Sequence, residues 1–489
     1  MSLTRREFLK NLPAILSPLE LPRPQQAAIP GPDIHLLNRT TWGPRPEEVA
    51  RLRELGTETF LDEQLNPETI DDSEADARLS RLPILNMDRR TLHSLSEPEY
   101  RCQLALEKGM VLRAVHSRRQ LLERVVEFWS DHFNIFGGED FASESVVYQR
   151  EAIRKHALGN FRDMLTATAK SPAMLFYLDN FNNVAGHPNE NYARELLELH
   201  TLGVDGGYTE TDVKEVARAF TGWTVHPKTR TGFYFNPHKH DDGPKRILGH
   251  DFPSGRGIED GLHVLSLVAH HPQTVRFVCT KLCVRFVSDS PPQSLVDSMV
   301  QVWTENRGEI KPVLRHLFLS SEFQAAAGQK LRRPLDLFIG ILRATGTEFI
   351  NWWPAEEILT QLGQIPYGWG PPDGYPDIAK AWISTNGLLA RWNTVMRLTH
   401  GVYSDFDWGW GMSTQLRERT GDPATAGELV DAVAAQVFGA PLPAESRAPF
   451  VAFTADDAGA GTPVTLHLLA RKLGSLYGLM LASPLYQWR

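Results

Sequence analysis

The chain has 489 residues, of which 42% are hydrophobic and 22% charged, and 51 Lys and Arg stand against 59 Asp and Glu for a net charge of −8. That composition is globular and excludes disordered, collagen-like and membrane-spanning chains. The acidic balance excludes a general nucleic-acid binder, so no nucleic acid is expected as a partner. Three Cys cannot build a disulfide framework at this length.

In chain order, the run Thr4-Arg-Arg-Glu-Phe-Leu-Lys10 resembles a twin-arginine export signal. The apolar stretch after it, Leu12 to Leu16, is broken by Pro13, Pro18 and Glu20 and is too short to cross a bilayer, so no transmembrane anchor is expected. Residues 22–33 read as a Pro-rich linker. Residues 1–33 are therefore expected to be signal and linker, and the mature protein periplasmic or extracellular.

From residue 34 the hydrophobic period is helical almost throughout. Pro46 to Gly56 is well punctuated, with Pro and Glu at the start and Gly just past the end. Helical periods recur at 98–118, 119–134, 145–157, 160–170, 188–202, 210–221, 258–286, 292–305, 310–320, 331–345, 378–400, 426–438 and 463–482. Strand-like alternation is confined to Thr231-Gly-Phe-Tyr-Phe235, inside an excursion from Trp223 to Phe252. The expected fold is all-α with a small β-hairpin insert at 223–252. A main helical domain spans 34–400, and a C-terminal helical region, 401–489, packs on it.

Four segments carry chemistry. Across 188–208, residues set 100° apart place Tyr192, Ala193, Leu196, Leu197 and Leu199 on an apolar arc with His200 near its centre. On the opposite arc Glu190, Arg194 and Glu198 stand four apart as an ion-pair ladder. Asn191 and Glu195 are left free to meet a metal or a polar substrate. Along 121–133, His132 also falls on an apolar arc, and a second such histidine points to a shared site. Burial would keep both imidazoles neutral, the form that binds metals or accepts protons.

The third segment, His238 to His250, supplies nitrogen and oxygen ligands suited to zinc, iron or manganese, with His240 and Asp241 the chosen candidates. Its spacing matches no metal signature. The fourth, Gly368-Trp-Gly-Pro-Pro-Asp-Gly-Tyr-Pro-Asp377, cannot be helical. Trp369, Asp373 and Tyr375 on this loop, with Trp223, are candidate contacts for a glycan. No Gly-x-Ser-x-Gly elbow, phosphate-binding loop, dinucleotide fingerprint or haem attachment motif is present.

Several stretches together resemble a bacterial family known as domain of unknown function 1800. They are Leu36-Leu-Asn-Arg-Thr-Thr-Trp-Gly-Pro44, Phe128-Trp-Ser-Asp-His-Phe133, the Pro188–Gly203 run, Tyr208 through Trp223, His240-Asp-Asp-Gly-Pro-Lys245 with Leu248-Gly249, and Pro371-Pro-Asp-Gly-Tyr-Pro376. The resemblance covers the chain from about residue 34 onward. It implies a mostly helical, exported protein, often with a second exported protein of unknown function as neighbour, and no established reaction.

The leading expectation is an exported enzyme using a transition metal held by His132, His200, His240 and Asp241, with Glu190, Asn191, Glu195 and Glu198 around it, acting on an envelope or extracellular substrate such as a glycan. The first alternative is a metal-free glycosidase or lyase with two carboxylates among Glu190, Glu195, Glu198 and Asp373. The second is a non-catalytic helical scaffold for a neighbouring exported protein.

Overall fold

The computed structural model describes residues 31–137, 141–229, 231–347, 351–400 and 418–489. The twin-arginine run and the aromatic run Phe406 to Trp410 lie outside the described residues.

Proline and capping side chains set most helix boundaries. The helix Pro46–Leu55 starts on its proline and stops at Gly56, whose φ of 76° is left-handed. Thr209 opens Glu210–Ala219 and Thr425 opens Ala426–Phe438, each with a capping box that satisfies otherwise orphaned N–H groups. The single helix expected over 258–286 is two, Glu259–Ala269 and Pro272–Phe286. Pro272 has no N–H to give the preceding turn, and it holds His271 in extended backbone. Likewise the period at 378–400 yields a short 3-10 turn at Ala379–Ala381 and an α-helix only over Thr385–His400.

Two segments wind as π-helix, Gln149–Arg154 and Leu196–His200. The second shifts the faces of the 191–200 stretch away from a 100° spacing, so Leu199 is only partly buried while His200 is fully so. Such inserted turns often accompany functional sites.

The architecture is all-α, and the β content among the described residues lies in the expected excursion. Trp223–Val225 pairs antiparallel with Phe233–Phe235, Trp223 opposite Phe235. A second hairpin, Lys245–Ile247 with His250–Phe252, was not foreseen. Its three-residue strands are too short to show alternation.

Two large apolar cores organise the chain. One gathers residues from Ile34 to Ala326, including Trp129, Phe161 and Phe286. The other joins Val111 and Val115 to Leu337, Val433 and Tyr477. The helices on either side of the boundary expected at residue 400, Thr385–His400 and Ala426–Phe438, thus share the second core. No described helix is long and apolar enough to cross a membrane.

Buried ion pairs tie these helices together. Arg124 and Glu127 come from Gln120–His132, Arg285 from Pro272–Phe286, and Arg333 and Asp336 from the start of Pro334–Thr345. Asp336 is fully buried; it pairs with Arg124 and accepts from Arg489 at 2.9 Å. Glu127 pairs with both Arg285 and Arg333. The arginines hold the Asp336 carboxyl well below its usual range against the pull of burial. Such charges are tolerable inside a protein only because each is partnered.

Candidate active site

Three elements meet around a cavity of about 330 Å³. The end of Gln120–His132 brings Asp131 and His132, one face of Pro272–Phe286 brings Phe277 and Lys281, and the loop from Trp369 to Asp377 closes the third side.

That loop is built to lie against Asp131. Gly374 has a φ of 74°, and a Cβ there would stand 2.1 Å from the Asp131 carbonyl oxygen, so both backbone angle and closeness require glycine. The Asn134 side-chain amide donates to the carbonyls of Trp369 (2.9 Å) and Pro371 (2.7 Å). The Tyr375 hydroxyl donates to the Ile365 carbonyl at 2.9 Å. Trp369 Nε1–H donates to Asp373 Oδ1 at 2.7 Å, and the Trp369 and Tyr375 rings lie 5.0 Å apart. Three of the four residues expected to contact a substrate therefore stand together as an aromatic shelf with a carboxylate at its edge.

The polar groups facing this shelf have displaced proton affinities. Burial, reinforced by the charge of Asp377 and opposed by Arg333, pushes the Asp131 carboxyl up to about 6. Arg333 Nη1 donates to it at 2.9 Å. Burial also lowers the Lys281 ammonium, although Asp377, Asp131 and Asp373 pull the other way. Its Nζ sits 5.6 Å from the Phe277 ring centre. A carboxyl raised and an amine lowered on one cavity is the pattern that acid–base catalysis needs near neutral pH.

His132 and His200 do meet. His132 Nε2 donates to the His200 carbonyl at 3.1 Å, and the rings lie 6.3 Å apart. A carbonyl only accepts, so His132 carries its proton on Nε2 and its Nδ1 is a buried, unpartnered lone pair. The His200 Nε2 is likewise buried without a partner. Burial and the charge of Lys281 hold His132 well below its ordinary value and His200 at about 3, so both imidazoles are neutral.

His240 and Asp241 have other partners. His240 Nδ1 donates to the Thr221 carbonyl at 2.8 Å, with Nε2 3.4 Å from Asp260. Asp241 takes both arms of the Arg218 guanidinium, at 2.8 and 3.1 Å. These contacts fasten the hairpin excursion to the helices Glu210–Ala219 and Glu259–Ala269. A carboxylate so engaged has little left for a cation. Among the described residues, no group of three or more His, Cys, Asp and Glu side chains is arranged to hold a metal. The four chosen ligands thus do not assemble into one set.

Trp223 is fully buried, edge-on to Phe220 and Phe233, and a Cβ at Gly261 would lie 2.5 Å from its ring. It has no face for a substrate. The ladder exists: Arg194 pairs with Glu190 at 3.3 Å and Glu198 at 3.6 Å, and Glu210 joins it at 2.8 Å. Asn191 donates to Asp179 at 3.1 Å. Glu195 alone of this group has no hydrogen bond or ion pair among the described residues. Burial first, then Glu198 and Asp373, raise its carboxyl, so Glu195 lies within electrostatic reach of the loop.

Sequence reading missed Asp131, Lys281, Arg333 and Asp377. Asp131 adjoins His132 in a quoted motif and could have been weighed with it. Lys281 stands between Cys279 and Cys283 within the helical period at 258–286, and nothing local marks it.

Comparison with known proteins returns one family. Neither the curated proteins nor the solved structures hold a match to this chain. A family model described as Protein of unknown function (DUF1800) matches residues 35–488, from the first described helix to the penultimate residue, and the chain belongs to that family.

Proposed function

We propose that the chain is an enzyme that cleaves a glycan by acid–base catalysis in the 330 Å³ cavity. One observation carries this reading: Asp131 and Lys281, with proton affinities displaced toward neutrality, face the Trp369–Tyr375 shelf across one half-open cavity. Sugar rings present apolar faces that stack on aromatic side chains, and their hydroxyls pair with acids beside them. Asp131 holds a proton below about pH 6 and gives it to the leaving glycosidic oxygen. Lys281, whose ammonium burial makes easier to deprotonate, is the partner group on the other side of the bond, as a base toward water in a hydrolase or a ring carbon in a lyase. Asp373 supplies a further carboxylate on the cavity wall, and Glu195 lies within electrostatic reach of it.

Calorimetric titration of oligosaccharides into wild type and a Trp369→Ala variant tests the binding half. Saturable binding lost in a folded variant supports the reading, and binding unaffected by the loss of Trp369 removes the shelf from it. Unsaturated sugar products would mark a lyase, saturated ones a hydrolase.

A second reading, a zinc, iron or manganese ion at His132 and His200, draws on their two unpartnered buried nitrogens. Metal analysis of tag-free protein beside a His132→Ala, His200→Ala variant tests it. Stoichiometric metal lost from a folded variant supports this site; metal-free wild type dismisses it. On the Thr4–Lys10 run we place the working protein outside the cytoplasmic membrane. Retention of an Arg5→Lys, Arg6→Lys variant inside the cell would support that placement, and unchanged export would reject this route.

A further inference from the structure

The hairpin excursion holds a buried lysine in contact with a buried aspartate. Lys245 lies on the strand Lys245–Ile247 and Asp260 in the first turn of Glu259–Ala269. Their side chains are 0% and 1% exposed, and Lys245 Nζ stands 2.7 Å from Asp260 Oδ2. Much of what surrounds them is apolar. The Trp223 ring lies against Gly261, the next residue along the helix, and buried Phe252 stands opposite Lys245 in the hairpin. Away from water an ion pair loses its hydration, so a neutral amine and acid lie closer to it in energy than they do in solution.

The groups that would join the two are in place. Nζ also donates to the carbonyl of Asp241 and, at 2.9 Å, to that of Gly243. These acceptors hold two of its three protons, and the third points to Oδ2. Passing the third proton to Asp260 leaves the Nζ lone pair facing the carboxyl. His240 Nδ1–H is committed to the Thr221 carbonyl, so a neutral His240 turns its Nε2 lone pair toward Oδ2, 3.4 Å away, where it can relay a proton. Asp260 Oδ1 is buried without a hydrogen bond among the described residues and faces Arg256 Nε at 3.6 Å. Negative charge gathering on Oδ1 during attack meets that guanidinium. Burial raises the Asp260 carboxyl, but His240 and Lys245 bring it below its ordinary range, so the pair rests as ions. A bond formed once per chain tolerates the slow step this implies.

We propose that Lys245 and Asp260 join in an amide bond that ties the hairpin covalently to the helix Glu259–Ala269. Nζ attacks Cγ, the Nζ–Cγ bond forms and the Cγ–Oδ2 bond breaks. Oδ2 leaves as water with the two protons that Nζ gives up, one passed directly and one through His240. No oxidant, reductant or further reactant is consumed. The proposal is independent of the glycan reading, which concerns other residues.

Intact-mass spectrometry of the full chain, sampled from synthesis onward over about a day, is the test. Wild type is expected to come to weigh one water, about 18 Da, less than its polypeptide sequence requires, and its digest to contain a branched peptide joining Lys245 to Asp260. A Lys245→Arg variant keeps the cation but not the amine, and is expected to keep the full mass. A His240→Gln variant is expected to lose the water at least about tenfold more slowly. Wild type that keeps its full mass while folded overturns the proposal. So does a lost water that persists in Lys245→Arg, which would mark a succinimide at Asp242–Gly243 and give no branched peptide. Loss at the wild-type rate in His240→Gln would strike the imidazole from the step.

Discussion

Gly374 is the position where a single added carbon should disturb the cavity most selectively. A Gly374→Ala variant asks a β-carbon to sit 2.1 Å from the Asp131 carbonyl oxygen at a φ of 74°. The left-handed backbone alone costs an L-residue about 1–2 kcal/mol. The contact cannot be relieved by a rotamer, because the backbone fixes the Cβ and its partner is a backbone oxygen, so the loop must lift. Lifting it breaks one or two of the bonds from Asn134 to the Trp369 and Pro371 carbonyls and from Tyr375 to Ile365, each about 1 kcal/mol net. The sum is about 2–4 kcal/mol. Gly370, in the same loop, has open space where its Cβ would be, and Gly370→Ala is the matched control. Urea unfolding gives the stability difference, and hydrogen exchange over residues 366–377 reports the loop. If Gly374→Ala matched Gly370→Ala within about 0.5 kcal/mol, with no faster exchange, the close seating of the loop on Asp131 would be refuted.

The neutral buried histidines set an acid limit on stability. The unfolded chain takes up a proton per histidine near pH 6.5, whereas His35 and His200 in the fold accept theirs only near pH 3. These depressed values stabilise the fold above pH 6.5, and the stability is lost as pH falls from there toward 3, about 1.4 kcal/mol per unit per histidine. A His200→Phe variant should flatten the stability–pH slope by about one proton in this window; an unchanged slope would return His200 to an ordinary affinity. Asp336→Asn leaves Arg124 and Arg489 facing a neutral amide in the interior and should destabilise by about 3–5 kcal/mol, read by urea unfolding. A loss below about 1 kcal/mol would mean these arginines find other partners. Glu195→Gln should fold normally and reduce glycan turnover, whereas Glu190→Gln, which loosens only the Arg194 ladder, should leave turnover close to wild type. Equal activity of the two variants would take Glu195 out of the site.

The sequence carried the helices well where proline, capping residues or long periods marked them, as in Pro46–Leu55 and Ala426–Phe438. It carried short elements poorly. Arg89–His93 and Pro172–Tyr177 span too few turns to show a period, and the Leu196–His200 π-turn breaks the 100° spacing on which face assignment rests. At the site, the Trp369–Tyr375 loop was legible because Pro and Gly exclude helix there. The pairing of His132 with His200 was legible because each histidine interrupts an apolar face. The joining of Asp131 to Lys281 was not, because the 149 positions between them are bridged by tertiary packing alone. His240 and Asp241 look like ligands in the sequence, but Arg218, Thr221 and Asp260, which occupy them, come from neighbouring helices and turns that composition does not place.

The measurement that bears most directly on the central claim is turnover of a defined glycan panel by wild type and an Asp131→Asn variant as a function of pH. Wild type should cleave at least one glycan, with activity falling as pH rises through about 6, where Asp131 gives up its proton. The Asn variant should bind that glycan and cleave it slower by about two orders of magnitude or more. Cleavage by the Asn variant at the wild-type rate, or a wild-type profile with no limb near 6, would contradict the assignment of Asp131 as the acid.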